Sequence, residues 1–573
     1  MQLLSKTSGA FRVLGGAVSA RQRHALMAQQ GNRCASLLFS TKRDAPSPIK
    51  HGLVVGIVSV SDTHELYGAE AAGLTAAQQQ QIVRQVHAVG SKAREGSVQV
   101  VYARDGDDEK YVAVVGLGSK EDAHNGGGRG EVVRTAVANG VRQLCAQNTA
   151  LRNVTVGPMP CRQASAEGAK LALYKFDGFK TKKTSNSSSS SSDGGKDENV
   201  AVTHLASHGS GSGAGSWDTG VVYAEAQNLA RDLMNTPANF MTPTIFADRV
   251  REELAGIDGV SISVYDKAWA EAQRMGGLLA VSRGSDEPLR FVEVVYSGGN
   301  AGSGVELALV GKGVTYDTGG YSLKPSRYMD MMKGDMGGGA TVVSAIRAIA
   351  QLRLPINVVA TVPLCENMVN GSATKVSDVY TSRAGMTVEV MNTDAEGRII
   401  LADALSYTIE THQPRTIVDV ATLTGAMVVA LGEVYTGVFT PSPKLWGAIE
   451  QASSTSDEPV WRMPLHDRWD AMLRSPVADL SNIGNKAEAG ACTAAAFLRQ
   501  FVVDRSRTLP LAEKPTVLRA QNNDESLPRW AHMDIAGPME ASASTGYHQK
   551  GLSGRPTRML VDLARILATD PLP

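Results

Sequence analysis

Short apolar runs alternate with longer stretches of helical period through most of this chain, and that alternation admits few folds. Runs at residues 53–60, 98–102 and 111–115 precede a helix-like stretch at 130–146. In the second half, runs at 305–310, 356–362, 388–391 and 416–421 are interleaved with helix-like stretches at 340–352 and 396–410. Strand and helix signals in alternation predict an α/β fold. Between the halves, Ala226, Leu229, Ala230 and Leu233 make one apolar stripe that stops at Asn235-Thr236-Pro237, because proline removes a donor and restricts the residue before it. In open α/β sheets, ligands bind at the carboxyl ends of the strands, so that is where chemistry is expected.

With 573 residues and roughly 100–200 residues per domain, more than one core is expected. Lys and Arg number 57 and Asp and Glu number 57; this zero balance gives no general electrostatic reason to bind nucleic acid or an anionic membrane. No run reaches the roughly 20 apolar residues that cross a bilayer. The five cysteines are scattered without a C-x-x-C pair, and His64-Glu65 lacks a second His at the H-E-x-x-H spacing. A metal in this chain must therefore be held mainly by oxygen. Residues 1–43 carry Lys6, Arg12, Arg21, Arg23, Arg33, Lys42 and Arg43 and no acid, with Leu4, Phe11, Leu14 and Val18 on one helical face. They read as a mitochondrial transit peptide leading to the matrix, the alternative being a basic tail on a cytoplasmic protein. Low-complexity stretches at 182–197 and 208–216 cannot bury enough apolar surface to order themselves. The expected organisation is a leader at 1–45, an α/β domain at 50–205 with a Ser-rich insertion at 182–197, a linker at 206–220 and a second α/β domain at 221–573.

Two segments carry the unusual residues. The first runs Gly311-Lys312-Gly313-Val314-Thr315-Tyr316-Asp317-Thr318-Gly319-Gly320-Tyr321-Ser322-Leu323-Lys324-Pro325 and on through Lys333-Gly334-Asp335-Met336-Gly337-Gly338-Gly339. Its spacing does not make a phosphate loop, but its glycines let backbone pass close to a ligand. The second is Asn392-Thr393-Asp394-Ala395-Glu396-Gly397-Arg398, between a strand and a helix. By itself it reads as helix capping, with Asp394 and Glu396 near the positive end of the dipole. Both segments leave strands, and together they gather Asp317, Asp335, Asp394 and Glu396. Ionised carboxylates so placed repel; two divalent cations cancel their charge, and paired metals are a known hydrolytic device. Lys312 is a salt-bridge partner or, deprotonated beside a cation, a metal ligand. Lys324 and Arg398 remain to face substrate oxygen or an anion.

These segments resemble the signatures of the leucyl aminopeptidase (cytosol aminopeptidase) family. The resemblance extends through residues 228–239, 421–426, 492–497 and 554–556 and so covers most of 220–570. It implies a smaller N-terminal α/β domain and a larger C-terminal catalytic one, whose central mixed sheet is flanked by helices, assembled as a homohexamer. It implies an aminopeptidase acting on peptides with a free N-terminus, apolar residues such as leucine preferred, with two divalent ions, manganese or zinc. One ion is assigned to Lys312, Asp317, Asp335 and Glu396, the other to Asp317, Asp394 and Glu396. Lys324 would polarise the scissile carbonyl, and Arg398 would hold bicarbonate as general base. Met332 would line the first side-chain pocket, with Asp335, Thr422, Leu423 and Gly425 also facing substrate.

Some positions depart from the family wording: Tyr316 for Phe, Tyr321 for a small aliphatic residue, Gly334 for Ala, and Val369-Asn370 for a Pro-containing turn. None removes a ligand. Two competing readings are a DNA-binding or structural role on the same scaffold and a two-metal phosphatase. The charge balance gives the first no support, and the amine-plus-carboxylate set disfavours the second.

Overall fold

The computed structural model describes residues 49–60, 63–70, 72–90, 93–121, 130–181, 200–205, 215–300, 302–502 and 528–570. Lys50–Pro573 form one compact unit. The expected leader at 1–45, the serine-rich run and residues 206–214 of the expected linker lie outside the described residues, within which no helix is long and apolar enough to cross a membrane.

The first half builds β1 (His51–Val60), β2 (Thr63–Tyr67), α1 (Ala76–Ala88), β3 (Val98–Asp105), β4 (Asp108–Ser119), α2 (Gly130–Gln147), β5 (Asn153–Val156), α3 (Arg162–Ala172) and β6 (Ala201–His204). The strands form a mixed sheet in the order β3-β4-β1-β5-β6, with β2 on β1. The chain from β4 through β1 and β5 to β6 is parallel, while β2 and β3 run antiparallel to their neighbours. Alternate strand residues point to opposite faces. Val54, Val58, Ala113 and Val115 accordingly pack with α2 and α3, while Leu53, Val55, Ile57, Val112 and Val114 pack with Ile82 and Val86 of α1.

The second half builds α4 (Trp217–Asn235), α5 (Pro243–Leu254), β7 (Val260–Tyr265), β8 (Arg290–Ser297), β9 (Leu307–Gly311), β10 (Gly313–Asp317), α6 (Gly337–Gln351), β11 (Asn357–Asn367), β12 (Val379–Thr381), β13 (Thr387–Glu389), α7 (Gly397–His412), β14 (Thr416–Ala421), α8 (Gly425–Leu431), β15 (Thr436–Phe439), α9 (Pro443–Ser456), β16 (Val460–Arg462), β17 (Leu480–Ser481), α10 (Gly490–Arg499), β18 (Arg529–Asp534) and α11 (Thr557–Thr569). Its central sheet is mixed, in the order β16-β15-β18-β14-β9-β11-β8-β7 with β10 on β11, and β12, β13 and β17 form a small sheet of their own. Both faces of the central sheet are buried. Leu309, Ala360, Val418 and Val420 join α4, α5, α6, α9 and α11 on one side; Ala308, Val310, Val359 and Ile417 join α7 and α10 on the other.

The structure differs from the expected linker at its end: α4 already starts at Trp217, because the Ser216 hydroxyl caps it by accepting from Thr219 N at 3.1 Å. This helix serves both cores. Trp217 and Ala224 pack in the N-terminal cluster, and Ala226, Leu229 and Leu233 in that of the second half. A buried charge cluster adds to that junction. Glu167 of α3 accepts from Arg134 Nε at 2.7 Å and from Arg558 Nη1 of α11 at 2.8 Å, while Arg558 Nε donates to Gln227 of α4 at 2.9 Å.

Candidate metal centre

Strands β9 and β10 pair with the same edge of β11 in one register, the pairing breaks off between them at Lys312, and the register itself shifts only within β10, between Val314 and Tyr316. That break turns the Lys312 backbone away from β11. Its N–H donates to Val420 O of β14 at 3.0 Å, and its carbonyl accepts from Gly339 N in the first turn of α6 at 2.7 Å. Asp317 ends β10, Thr422 follows β14, and Asp534 ends β18. The site lies where the parallel strands finish, as the crevice rule requires.

The two lysines thread the four carboxylates. Lys312 Nζ lies 2.7 Å from Asp335 Oδ1 and 2.8 Å from Glu396 Oε1, and donates to Thr422 O at 3.1 Å. Lys324 Nζ lies 2.7 Å from Asp317 Oδ2 and also pairs with Asp394 Oδ1. Asp317, Asp394 and Glu396 each offer an oxygen within 4.8 Å of the others. Two amines offset only half of the four acids, and burial adds to the excess. Burial and the neighbouring Glu396 charge push the Asp317 carboxyl up to about 7. Asp335 is also raised, by burial, despite Lys312, and its buried Oδ2 has no hydrogen-bond partner. Burial opposes the charge on Lys312, but Asp335 and Glu396 outweigh it and hold the amine above the usual lysine value. Glu396 alone stays below the usual carboxylate range: burial acts against its charge, and Lys312 and Lys324 overcome it.

The capping reading of the second segment does not describe what these acids do. Glu396 occupies the N-cap position of α7 but makes no side-chain cap bond; its carboxylate goes to Lys312 instead. Gly397 shows why no larger residue fits next to it, since a Cβ there would stand 2.5 Å from Lys312 Cε. Gly319 adopts φ +86°, and its own Cβ would stand 2.7 Å from Asp394 Oδ1; the left-handed conformation and the close approach both call for glycine.

Several supporting residues were not found by sequence reasoning. Asn367 Nδ2 donates to Asp317 Oδ1 at 2.8 Å and to Thr393 O at 3.0 Å. Thr393 Oγ1 donates to Gly319 O at 2.6 Å and accepts from Ser322 N at 2.7 Å, locking the two segments together. Asn482 accepts from Met391 N at 2.8 Å and donates to Asn392 O at 2.6 Å. Asp534 accepts from Leu423 N at 3.2 Å and from Thr424 Oγ1 at 2.6 Å. Thr393 stood within a quoted signature and could have been found there. Asn367, Asn482 and Asp534 lie far away in sequence, with no local pattern to mark them.

The remaining expected residues surround this cluster. Arg398 is buried in the first turn of α7, where Nη1 donates to Asn482 O at 3.0 Å and Nε has no hydrogen-bond partner. Burial brings its pKa down to about 10. Thr422 Oγ1 donates to Asp335 Oδ1 at 2.8 Å. Met332 is half-buried and belongs to none of the core clusters, unlike Met336 and Met331 on either side. Leu423 is half-buried, and Gly425 opens α8 with free space where a side chain would be. Tyr321, a departure from the family wording, donates through its hydroxyl to the carbonyl of Asn370, another departure, at 3.0 Å.

Residues 228–561 match the catalytic domain of the cytosol aminopeptidase family, and residues 54–183 match that family's N-terminal domain. The chain belongs to the cytosol aminopeptidase family. Membership makes it a metal-dependent aminopeptidase, a hydrolase of the α/β class. The cytosol aminopeptidase of Xenopus tropicalis is 42% identical over 94% of this chain and 97% of its own length. That of Homo sapiens is 40% identical over 92% and 95%. Among solved structures, the bottromycin maturation enzyme BotP in complex with Mn is similar with a TM-score of 0.72 and 32% identity, covering 90% of this chain and 99% of its own. The residues present fit the metal dependence: they are clustered carboxylate oxygen donors, with a buried, unpartnered carboxylate oxygen on Asp335.

Proposed function

We propose that this aminopeptidase removes apolar N-terminal residues, leucine above all, using two divalent ions, manganese or zinc. One would be held by Lys312, Asp317, Asp335 and Glu396, and the other by Asp317, Asp394 and Glu396. The observation that carries this reading is the convergence of these acids, three of them with oxygens within 4.8 Å, on two buried or half-buried lysines. When bound, the ions supply Lewis-acid polarisation and an activated water.

The chain's own residues do the rest. Asp335 accepts a hydrogen bond from the substrate α-amine and so fixes the end of the peptide. Lys324, at the edge of the cluster, presents its amine to the carbonyl oxygen as charge develops there. The family resemblance supports bicarbonate as general base, held by Arg398, whose Nε has no hydrogen-bond partner. Met332, Thr422, Leu423 and Gly425 border the space for the substrate's first residue. The family resemblance further supports a homohexamer.

The test compares leucine amide with N-acetyl-leucine amide, which share the side chain and the scissile bond. Leucine amide should be hydrolysed, the acetylated compound should not, and a strong chelator should abolish the activity until Mn or Zn is restored. Comparable turnover of both compounds would remove the amine-anchoring role of Asp335.

A further inference from the structure

A pair of histidines stands apart from the catalytic cluster, on the other sheet. His64 lies on β2, and His87 lies in the last turn of α1. Their ring nitrogens Nδ1 and Nε2 approach to 3.3 Å, with ring centroids 4.7 Å apart and planes at 71°. A zinc–imidazole bond is about 2.0–2.1 Å long, so two such bonds at a tetrahedral angle span about 3.4 Å. The two nitrogens already stand at that bite.

We propose that His64 and His87 form a second metal site, a two-imidazole clip for a borderline divalent ion such as Zn²⁺, Cu²⁺ or Ni²⁺. One proton now links the two nitrogens. An entering ion displaces it to the far nitrogen of the ring that carried it, so both imidazoles remain neutral and no proton is lost. Water completes the coordination, which makes the ion exchangeable. The end of α1 favours a cation, since the carbonyl ends of a helix carry partial negative charge. Glu65, beside His64, is engaged by Lys120 Nζ at 2.6 Å, so the pair offers nitrogen rather than oxygen. Nitrogen ligation selects against Mn²⁺ and Mg²⁺, which prefer carboxylate and water. The clip and the oxygen-rich catalytic cluster therefore sort ions by type. A bound ion would join the edge strand β2 to α1 and stabilise the N-terminal domain in proportion to its occupancy.

The experiment uses the full chain saturated with Mn²⁺ and titrated with Cu²⁺, read by equilibrium dialysis and by electron paramagnetic resonance. One additional copper per chain is expected, with hyperfine splitting from two nitrogens. His64→Gln and His87→Gln should each weaken this binding at least tenfold while leaving leucine amide hydrolysis unchanged. On the unaltered protein, Zn²⁺ should protect both histidines from diethylpyrocarbonate, read by peptide mass spectrometry. Copper that binds equally to both variants, shows only oxygen ligation or merely displaces manganese would overturn the site, as would modification of both histidines at the same rate with and without zinc.

Discussion

At the scale of single residues, Lys324 and His548 make opposite predictions about charge. Lys324 is the half-buried amine on Asp317 and Asp394, and replacing it with alanine should lower kcat by roughly 10²–10³, as expected for loss of one oxyanion stabiliser. Metal content measured alongside should stay at the wild-type level, and an unchanged kcat would assign this lysine to structure. His548 is half-buried, and loss of solvation, followed by the nearby Arg555 and Arg231 charges, depresses its pKa to about 2. Its ordinary value is 6.5, so between those limits the unfolded chain binds a proton that the folded chain refuses. The contribution to stability is complete above pH 6.5 and is lost as pH falls below it, by about 1.4 kcal/mol per unit. Denaturation midpoints of His548→Gln compared with the parent between pH 4 and 7 should show the parent's extra acid sensitivity. The charged residues of the candidate site were legible because they are packed into two short segments with fixed internal spacing. Asn367, Asn482 and Asp534 were not, because what makes them useful is where their strands end.

At the scale of elements, the sequence reading located the strands and helices that carry apolar patterns, since burial on both faces leaves continuous runs such as 416–421, which is the observed span of β14. The division of one strand path into β9 and β10 was not legible. It depends on the Lys312 backbone leaving β11 to bond with Val420 and Gly339, and no local composition announces that exchange of partners. The start of α4 at Trp217 was likewise masked by the Gly- and Ser-rich stretch before it, although Ser216 turns out to be the cap. Thr393 is the bolt between the two site segments through Gly319 and Ser322. Thr393→Val keeps the side chain's shape and removes those bonds. Metal affinity should drop by roughly 10–100-fold, the usual effect of losing a group that orients ligands, and isothermal titration of the metal-stripped protein with Mn²⁺ measures it.

At the scale of the whole molecule, Arg558 connects the two domains through Glu167 and Gln227, and its own charge is matched by Glu167 and Glu458. Arg558→Met should cost about 3–5 kcal/mol, because it leaves the buried Glu458 without its cation and Glu167 with Arg134 alone. A thermal scan of the metal-loaded protein should show a clearly lower midpoint, with kcat per correctly folded molecule little changed. The shared helix α4 and this ion cluster also mean that covalent continuity is not what keeps the halves together. A protease site engineered into residues 206–214 should, once cut, yield two fragments that co-elute as a single active particle. Buried ion pairs are screened little by salt, so high ionic strength alone should not part them, and the enzyme could serve as a two-piece reporter whose signal depends on reunion of its fragments.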